Sequence, residues 1–302
     1  MKYLKLFRYQ NLIFVILTQV FLRYFLFEPF GITITLSDFG YALLVLATVC
    51  LTAAGNVIND IYDVETDQIN KPEHVLVGKS ISEQSAYTLF IILNVIAVGI
   101  GFYLSNIIGK PGFSALFISI SAILYIYASY LKRTVLVGNL VISLLVAFVI
   151  IVVAIYDLMP AITPQNKAVQ TLIFGLMLDY AVFAFAVNLI REMVKDQQDV
   201  KGDHNSGIQT LPIILGKTRT NKVIFAVTAL LIIGLVYYLY TYMFQNQVAV
   251  LYVLFLILGP LLYVLIKIWN ADTKHDYRKL SGILKLVMLF GVISMAFYQF
   301  ML

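Results

Sequence analysis

The sequence predicts an all-α membrane protein, a multi-span helical bundle with about nine transmembrane helices. Hydrophobic residues make up 61% of the 302-residue chain and charged residues only 12%, whereas about a quarter of the residues in a soluble domain are charged. The mean hydropathy is +0.90. Apolar runs of about 20 residues, the length that crosses a bilayer as a helix, recur along the whole chain.

Nine apolar runs are long enough to be spans, and polar stretches at 60–83, 191–222 and 269–282 divide them into groups. A basic stretch precedes the first run, as in a signal peptide. Arg23 lies inside that run and no small-residue cleavage pattern follows it, so we expect the first span to be retained. The predicted spans are residues 11–28, 41–59, 85–105, 112–130, 136–157, 168–190, 221–243, 247–268 and 283–301.

Basic residues fall almost entirely on alternate loops, which predicts an orientation. Lys and Arg accumulate in short cytoplasmic loops, so we expect a cytoplasmic N-terminus and an external C-terminus in the cell (inner) membrane. The opposite loops hold only Lys110 and Lys167. The net charge of +5 then reflects topology and attraction to anionic lipid, and no nucleic-acid partner is expected. The cytoplasmic set comprises Lys2, Lys5, Arg8, Lys71, Lys79, Lys132, Arg133, the basic residues from Arg191 through Lys222, and those from Lys267 through Lys285.

Two of the cytoplasmic segments carry the same spacing of carboxylates, with Asp at i, i+3 and i+7. On a helix of about 3.6 residues per turn, each set lies on one face. Such a row repels itself unless a cation sits beside it, and oxygen ligands favour Mg²⁺, which typically accompanies a phosphorylated substrate. We therefore interpret both rows as metal ligands, direct or through water, at a diphosphate site on the membrane surface. The six candidates are Asp60, Asp63, Asp67, Asp196, Asp199 and Asp203.

Neutral and basic residues near the rows are candidates for binding the substrate. Basic groups beside carboxylates suit a site that binds an anion and a cation together. For the two basic residues between the fourth and fifth spans, the loop-charge rule is an equally good explanation. The tyrosines just before them could form an interface belt or stabilise a cationic hydrocarbon fragment. The substrate-binding candidates are Asn59, Lys132, Arg133, Arg191 and Lys195.

Three cytoplasmic segments carry a family resemblance: Asn59-x-x-x-Asp63-x-x-x-Asp67 with Asp60, Arg191-Glu192-x-x-Lys195-Asp196 before Asp199-x-x-x-Asp203, and Tyr130-Leu131-Lys132-Arg133 before Gly138-Asn139. In these segments the chain resembles the UbiA superfamily of intramembrane prenyltransferases. Within that superfamily it is similar to the geranylgeranylglycerol-phosphate geranylgeranyltransferases of ether-lipid synthesis. In that branch the proline after the first motif is usually flanked by arginines and followed by Pro-Ser-Gly, whereas here Lys71 and Glu73 flank Pro72.

The resemblance implies one prenyltransferase membrane domain over residues 1–302 and an active site on the cytoplasmic side. It implies Mg²⁺-dependent transfer of a polyprenyl group from a prenyl diphosphate to a membrane-associated acceptor, geranylgeranylglycerol phosphate first among the candidates. The cation would act as a Lewis acid on the leaving diphosphate, and the allylic cation would be shielded from water. The implied catalytic residues are Asp63, Asp67, Asp199 and Asp203.

Other interpretations remain open from the residues alone. The acceptor could instead be an aromatic precursor of quinones, 4-hydroxybenzoate or dihydroxynaphthoate. A cation-coupled transporter would also carry carboxylates, but near the centres of broken spans. Arg23 in the first span is either an acceptor-side charge or a structural partner of nearby carbonyls. The repeated motif indicates two related helical units with the site between them.

Overall fold

Nine helices long and apolar enough to cross a membrane run through residues 2–297, the part of the chain that this computed structural model describes. Within those residues no β-strand forms, so the predicted all-α bundle with nine spans is confirmed. Short helices at Lys2–Leu6, Val64–Asn70 and Leu211–Leu215 lie outside the spans. The long helices are α1 (Tyr9–Phe27), α2 (Asp38–Tyr62), α3 (Glu83–Ile107), α4 (Pro111–Ser129), α5 (Val137–Ala161), α6 (Lys167–Asn205), α7 (Lys217–Met243), α8 (Gln247–Ile268) and α9 (Lys274–Phe297).

Helix α6 is far longer than the span predicted for it. The predicted span covers 168–190, but the helix continues without a break to Asn205 and contains 39 residues. At 1.5 Å per residue it is about 58 Å long, nearly twice the roughly 30 Å of a hydrocarbon core. Hydropathy marks only the apolar half, because the polar residues after Ile190 favour a helix without giving an apolar signal.

The start of α9 also differs from the prediction. The helix begins at Lys274, well before the predicted start at residue 283, because its first turns are polar. The predicted end at residue 301 lies outside the described residues. At the starts of α2 and α3, the hydroxyl groups of Ser37 and Ser82 accept hydrogen bonds from backbone N–H groups in the first turn, as N-caps do.

The buried apolar core forms two large clusters, and α6 contributes to both. Leu44 of α2 and Val153 of α5 belong to the first cluster, together with Met177 of α6. Further along α6, Val187 belongs to the second cluster, which includes residues of α7, α8 and α9 such as Leu284. Helix α6 therefore holds the second acidic motif in fixed relation to both halves of the bundle.

Arg23 lies at the end of the bundle away from the acidic motifs. The guanidinium of Arg8, which precedes α1, contacts Asp60, and Arg23 lies about 22 Å further along that helix at 1.5 Å per residue. Its Nη1 is 2.7 Å from Asp157 Oδ2, and its Nη2 donates to the carbonyl oxygen of Leu36 at 2.9 Å. Of the two interpretations of Arg23, the structure therefore supports the structural partner and not the acceptor-side charge.

Candidate active site

A cavity of about 910 Å³ runs from the two acidic motifs into the middle of the bundle. Its inner wall is apolar and includes Leu51, Phe117, Phe148 and Met295. Thr48, which also lines it, lies about 22 Å from Asp63 along α2 at 1.5 Å per residue. A polar entrance and a long apolar interior suit an amphiphile with an anionic head and a hydrocarbon tail. The predicted site residues on its wall are Asn59, Asp60, Asp63, Asp67, Lys132, Arg191, Lys195, Asp196, Asp199 and Asp203.

The first acidic motif crosses a break between two helices. Helix α2 ends at Tyr62, and Asp63 has φ −93° and ψ 0°, a sparsely populated conformation between helix and strand. The chain then resumes as the short helix Val64–Asn70. A continuous helical row was expected here, so the geometry differs from the prediction. The Asp63 carboxylate at the break accepts a hydrogen bond from Asn59 Nδ2 at 2.7 Å and pairs with the Lys132 ammonium.

The second acidic motif lies on an unbroken stretch of α6. The Asp196 carboxylate accepts a hydrogen bond from Asn139 Nδ2 at 2.7 Å, and Asp199 Oδ2 is 2.7 Å from Lys71 Nζ. The other carboxylate oxygen of Asp199, Oδ1, is buried and has no hydrogen-bond partner among the residues described. This row therefore keeps the helical spacing that the sequence predicts, and one carboxylate oxygen of Asp199 is free to accept a hydrogen bond or bind a cation.

Asn70 holds the two motifs together. Its Nδ2 donates to the carbonyl oxygen of Asp199 at 2.9 Å, and its Oδ1 accepts from the N–H of Gly202 at 2.9 Å. One turn away, Thr66 Oγ1 lies 3.0 Å from Ser206 Oγ. The first motif thus packs directly on the second, and both rows reach the same cavity.

Sequence reasoning did not identify this contact between the motifs. A Cβ at Gly202 would overlap the Asn70 side chain and would lie 2.7 Å from the backbone oxygen of Thr66. Gly202 lies in the last turn of α6, and its lack of a side chain permits close approach of the neighbouring helix. A glycine inside an otherwise polar helix was the available signal, because it often marks such an approach.

Basic side chains compensate part of the negative charge of the site. Arg8 Nη2 is 2.6 Å from Asp60 Oδ1. Lys132 pairs with Asp63 of the first motif, and Lys71 pairs with Asp199 of the second. Burial lowers the pKa of Lys132, but attraction to Asp63 and the hydrogen bond between them outweigh it and raise the pKa. Burial and the neighbouring Asp63 raise the pKa of Asp67. Both effects disfavour the charged form of this carboxylate, which a nearby positive charge would favour.

The donor set fits a divalent cation that is shared with a phosphate. No three carboxylate or imidazole groups of residues 2–297 form a ready-made metal cage. Mg²⁺ keeps several waters and is usually bound by one or two carboxylates together with substrate phosphates, so a complete protein cage is not required. The unpaired Asp199 Oδ1 would supply an oxygen ligand of this kind beside Lys71.

Arg133 is the predicted substrate-binding residue that the structure does not bring to the cavity. Leu131–Arg133 form one turn of 3₁₀ helix, in which successive side chains point about 120° apart. Lys132 therefore faces the cavity and Arg133 is exposed. The backbone oxygen of Arg133 accepts a hydrogen bond from the N–H of Gln209 at 3.2 Å, which ties this turn to the loop after α6.

The sequence of this chain is similar to those of known proteins. The family model described as the UbiA prenyltransferase family matches residues 30–298. The digeranylgeranylglyceryl phosphate synthase of Korarchaeum cryptofilum is 29% identical over 248 residues, which cover 80% of this chain and 79% of the relative.

Two solved structures share the fold of this chain. A digeranylgeranylglyceryl phosphate synthase has a TM-score of 0.62 at 22% identity and covers 98% of both chains. A UbiA homologue from Archaeoglobus fulgidus bound to GPP and Mg²⁺ has a TM-score of 0.61 at 17% identity, covering 98% of this chain and 99% of the homologue.

Proposed function

Because the chain belongs to the UbiA prenyltransferase family, we propose that it transfers a geranylgeranyl group from geranylgeranyl diphosphate to a hydroxyl of geranylgeranylglycerol phosphate, with Mg²⁺ as the cation. The observation that carries this proposal is the cavity in which two facing acidic motifs lead into an apolar interior. The relatives support the acceptor, since the name digeranylgeranylglyceryl phosphate describes a glycerol phosphate with two geranylgeranyl groups. The structural relative bound to GPP and Mg²⁺ supports the donor class and the cation.

The residues of this chain have distinct parts in the proposed reaction. The two Asp rows would hold the cation, which when bound would neutralise the charge of the diphosphate as a Lewis acid. Lys132, which also donates to Asn59 Oδ1 at 3.1 Å, is placed to donate to the leaving diphosphate. The bond between the allylic carbon and the diphosphate oxygen breaks, and its electron pair leaves with the diphosphate.

The rest of the cavity protects and directs the carbon that becomes electron-deficient. Its apolar wall excludes water, and the ring of Tyr127 on that wall can stabilise positive charge through its face. The acceptor hydroxyl then forms the new ether bond through its oxygen, and its proton passes to the released diphosphate. The prenyl tail lies along the interior toward Thr48.

The two other functions that the sequence left open are not favoured. An aromatic acceptor finds no support in the relatives, which are named for a glycerol lipid. A transporter would need carboxylates along a midplane path, whereas the acidic residues of this cavity gather at one end. We also propose that this end faces the cytoplasm, because the basic loops lie on the same side.

A transfer assay tests the proposed function. Membranes that contain the protein receive labelled geranylgeranyl diphosphate, Mg²⁺ or EDTA, and either geranylgeranylglycerol phosphate, 4-hydroxybenzoate or dihydroxynaphthoate. We expect Mg²⁺-dependent label in the glycerol lipid, and a loss of at least about 100-fold in Asp63→Asn and Asp199→Asn, because each removes a carboxylate ligand of the cation that would stabilise the leaving diphosphate. Label only in an aromatic product would contradict the proposed glycerol-lipid acceptor. Undiminished transfer in both variants would contradict the proposal that the two Asp rows bind the cation.

The control for these variants is Asp272→Asn. Asp272 lies on the loop before α9, its side chain is 83% exposed, and it does not line the cavity. Its ion pair with Lys217 at 3.6 Å is a surface pair, which contributes little to stability. We expect the activity of this variant to equal that of the unchanged protein.

A further inference from the structure

A second charged cluster lines the cavity on the membrane side of the second Asp row. Arg191, Glu192 and Lys195 belong to α6, and Lys285 comes from the neighbouring helix α9. All four side chains line the same cavity as the acidic motifs. Arg191 and Lys195 are four residues apart, so they lie on the same face of α6. We refer to these four residues as the basic cluster.

The basic cluster has an excess of positive charge. Glu192 Oε1 accepts both from Lys195 Nζ at 2.6 Å and from Arg191 Nη1 at 3.4 Å. Lys285 Nζ donates to a neutral amide oxygen, Gln10 Oε1, at 3.0 Å. Three cations and one carboxylate leave a formal charge of +2. A phosphate monoester carries about −1.5 to −2 at pH 7, so the charges are complementary.

Arg191 has a free donor at the centre of this cluster. Its Nε is buried and has no hydrogen-bond partner among residues 2–297. Buried polar groups are almost always paired, so an unpaired one in a cavity wall needs an explanation. A guanidinium binds a phosphate through two parallel N–H groups, and Nε with one Nη forms such a pair.

We propose that the basic cluster binds the phosphate of the acceptor, separately from the diphosphate of the donor. This inference rests on the proposed function, and it specifies a subsite that recognises a phosphorylated glycerol lipid. The diphosphate lies at the Asp rows with the cation, and the acceptor phosphate lies deeper along α6 against Arg191, Lys195 and Lys285. Glu192 orients the two cations of α6.

The spacing along α6 matches the length of the reacting pair. We count bonds from the phosphorus of the acceptor to the nearer phosphorus of the diphosphate. Four or five bonds separate the acceptor phosphorus from a free hydroxyl oxygen of the glycerol. The new bond from that oxygen to the prenyl carbon adds one, and two more bonds lead from the prenyl carbon through oxygen to the diphosphate phosphorus. Three backbone bonds span about 3.8 Å, so seven or eight bonds span roughly 9–10 Å. Along the helix, Lys195 and Arg191 lie about 6 Å and about 12 Å from Asp199. A phosphate between them is therefore at the required distance.

The test compares the Michaelis constants of the two substrates. The variants are Arg191→Gln and Lys285→Gln in the full-length protein in lipid nanodiscs, and the matched control is Lys279→Gln, an exposed lysine on the same helix α9 that does not line the cavity. Each protein is assayed with geranylgeranylglycerol phosphate and with its dephosphorylated form. Hydrogen bonds to charged groups contribute about 1.5–3 kcal/mol, which corresponds to roughly 10- to 150-fold in affinity.

We expect the KM for the phosphorylated acceptor to rise about tenfold or more in each cluster variant. The KM for geranylgeranyl diphosphate should stay within about twofold, and the preference for the phosphorylated over the dephosphorylated acceptor should fall by the same factor. Lys285→Gln keeps the test valid if Arg191→Gln does not fold, because Lys285 is only half-buried.

Three results would overturn the inference. If the cluster variants raise the KM for geranylgeranyl diphosphate and leave the KM for the acceptor unchanged, the basic cluster binds the donor diphosphate. The proposed function would then remain intact. Equal use of both acceptor forms by the unchanged protein would show that no phosphate subsite exists. Failure of the unchanged protein to use either glycerol acceptor would instead overturn the proposed function, and this inference with it.

Discussion

The absence of a side chain at Gly202 allows the two acidic motifs to pack against each other. Gly202 lies in the last turns of α6, where the helix Val64–Asn70 crosses it closely enough for Asn70 to bond both the Asp199 carbonyl oxygen and the Gly202 N–H. Asn70 and Gly202 are far apart in sequence, and neither is one of the charged residues of the two motifs. The relative position of the two Asp rows, which decides whether one diphosphate can contact both, therefore depends on a residue without chemistry of its own.

Gly202→Ala should separate the motifs. The added methyl group would lie 2.7 Å from the Thr66 backbone oxygen, and backbone cannot rotate away as a side chain can. We expect a loss of about 1–3 kcal/mol of stability from overpacking, seen as a lower thermal midpoint, and at least about tenfold lower kcat/KM from displaced ligands. Gly175→Ala is the matched control on the same helix, because a Cβ there meets no atom within 4 Å. Equal activity of the two variants would contradict this account of Gly202.

At the scale of helices, an ion pair fastens the bundle at the end away from the cavity entrance. Arg23 of α1 and Asp157 of α5 are buried, with side chains 5% and 0% exposed. Asp157 Oδ1 also accepts from the backbone N–H of Leu36 at 2.8 Å, in the connection before α2. Three elements are thus joined by one charged pair, which leaves the opposite end to form the polar entrance.

Breaking this pair should destabilise the protein without changing its substrate affinity. Removing Arg23 leaves the buried Asp157 charge without its partner, at a cost of about 3–5 kcal/mol, and removing the Asp157 charge leaves Arg23 only its ion pair of 3.1 Å with the exposed Asp38. We therefore expect a large fall in thermal midpoint for Asp157→Asn or Arg23→Met, with an unchanged KM for the acceptor in the folded fraction. The double variant Arg23→Met/Asp157→Leu should recover much of the loss, because it buries no charge. A raised acceptor KM at an unchanged thermal midpoint in Arg23→Met would restore the acceptor-side interpretation.

At the scale of the whole molecule, we expect the cavity to limit the length of the prenyl group that the protein accommodates. Helices α1, α2, α4, α5, α6 and α9 all contribute to its wall. Its depth comes from their joint packing, since Thr48 on α2 is brought opposite apolar residues of helices distant in sequence. We expect the prenyl chain length to depend on bulk at this inner end rather than at the acidic entrance.

Thr48→Phe should shift the enzyme toward shorter donors. The larger ring would fill the inner cavity, and each displaced methylene group is worth about 1–3 kcal/mol of discrimination. We expect the ratio of kcat/KM for geranylgeranyl over geranyl diphosphate to fall about tenfold or more, and a ratio is insensitive to the amount of folded protein. Leu46→Phe is the control, because Leu46 is exposed on the same helix and does not line the cavity. An unchanged ratio in Thr48→Phe would place the prenyl tail elsewhere.

The orientation in the membrane can be tested with introduced cysteines. Cys50 is the only cysteine of the chain and is buried, so its background labelling is low. Ser80 is exposed on the loop between α2 and α3, and Gln165 is exposed on the loop between α5 and α6 at the opposite end. With the acidic end in the cytoplasm, an impermeant maleimide should label Gln165→Cys in intact cells and Ser80→Cys only after permeabilisation. The reverse pattern would refute the proposed sidedness.

Most of the site could be predicted from the sequence because its signals are local. The Asp spacing on α6 survives in the structure because the helix is continuous there, whereas the row on α2 is interrupted at Asp63. Lys132 and Arg133 are adjacent in the sequence and carry the same charge. In the 3₁₀ turn that they share, the side chain of Lys132 points to the cavity and that of Arg133 points to the surface. Side-chain direction within a turn has no signature in composition or spacing.

The sequence by itself determined the membrane environment, the nine spans, the two acidic motifs and the family, since apolar length and residue spacing are properties of contiguous chain. Only the tertiary structure decided which motif residues meet, that Asn70 bridges the rows, that Arg23 pairs with Asp157, and that Lys285 joins Arg191 in one cluster. The physical reason is that these contacts join helices far apart in the chain, where the packing of side chains sets the partners.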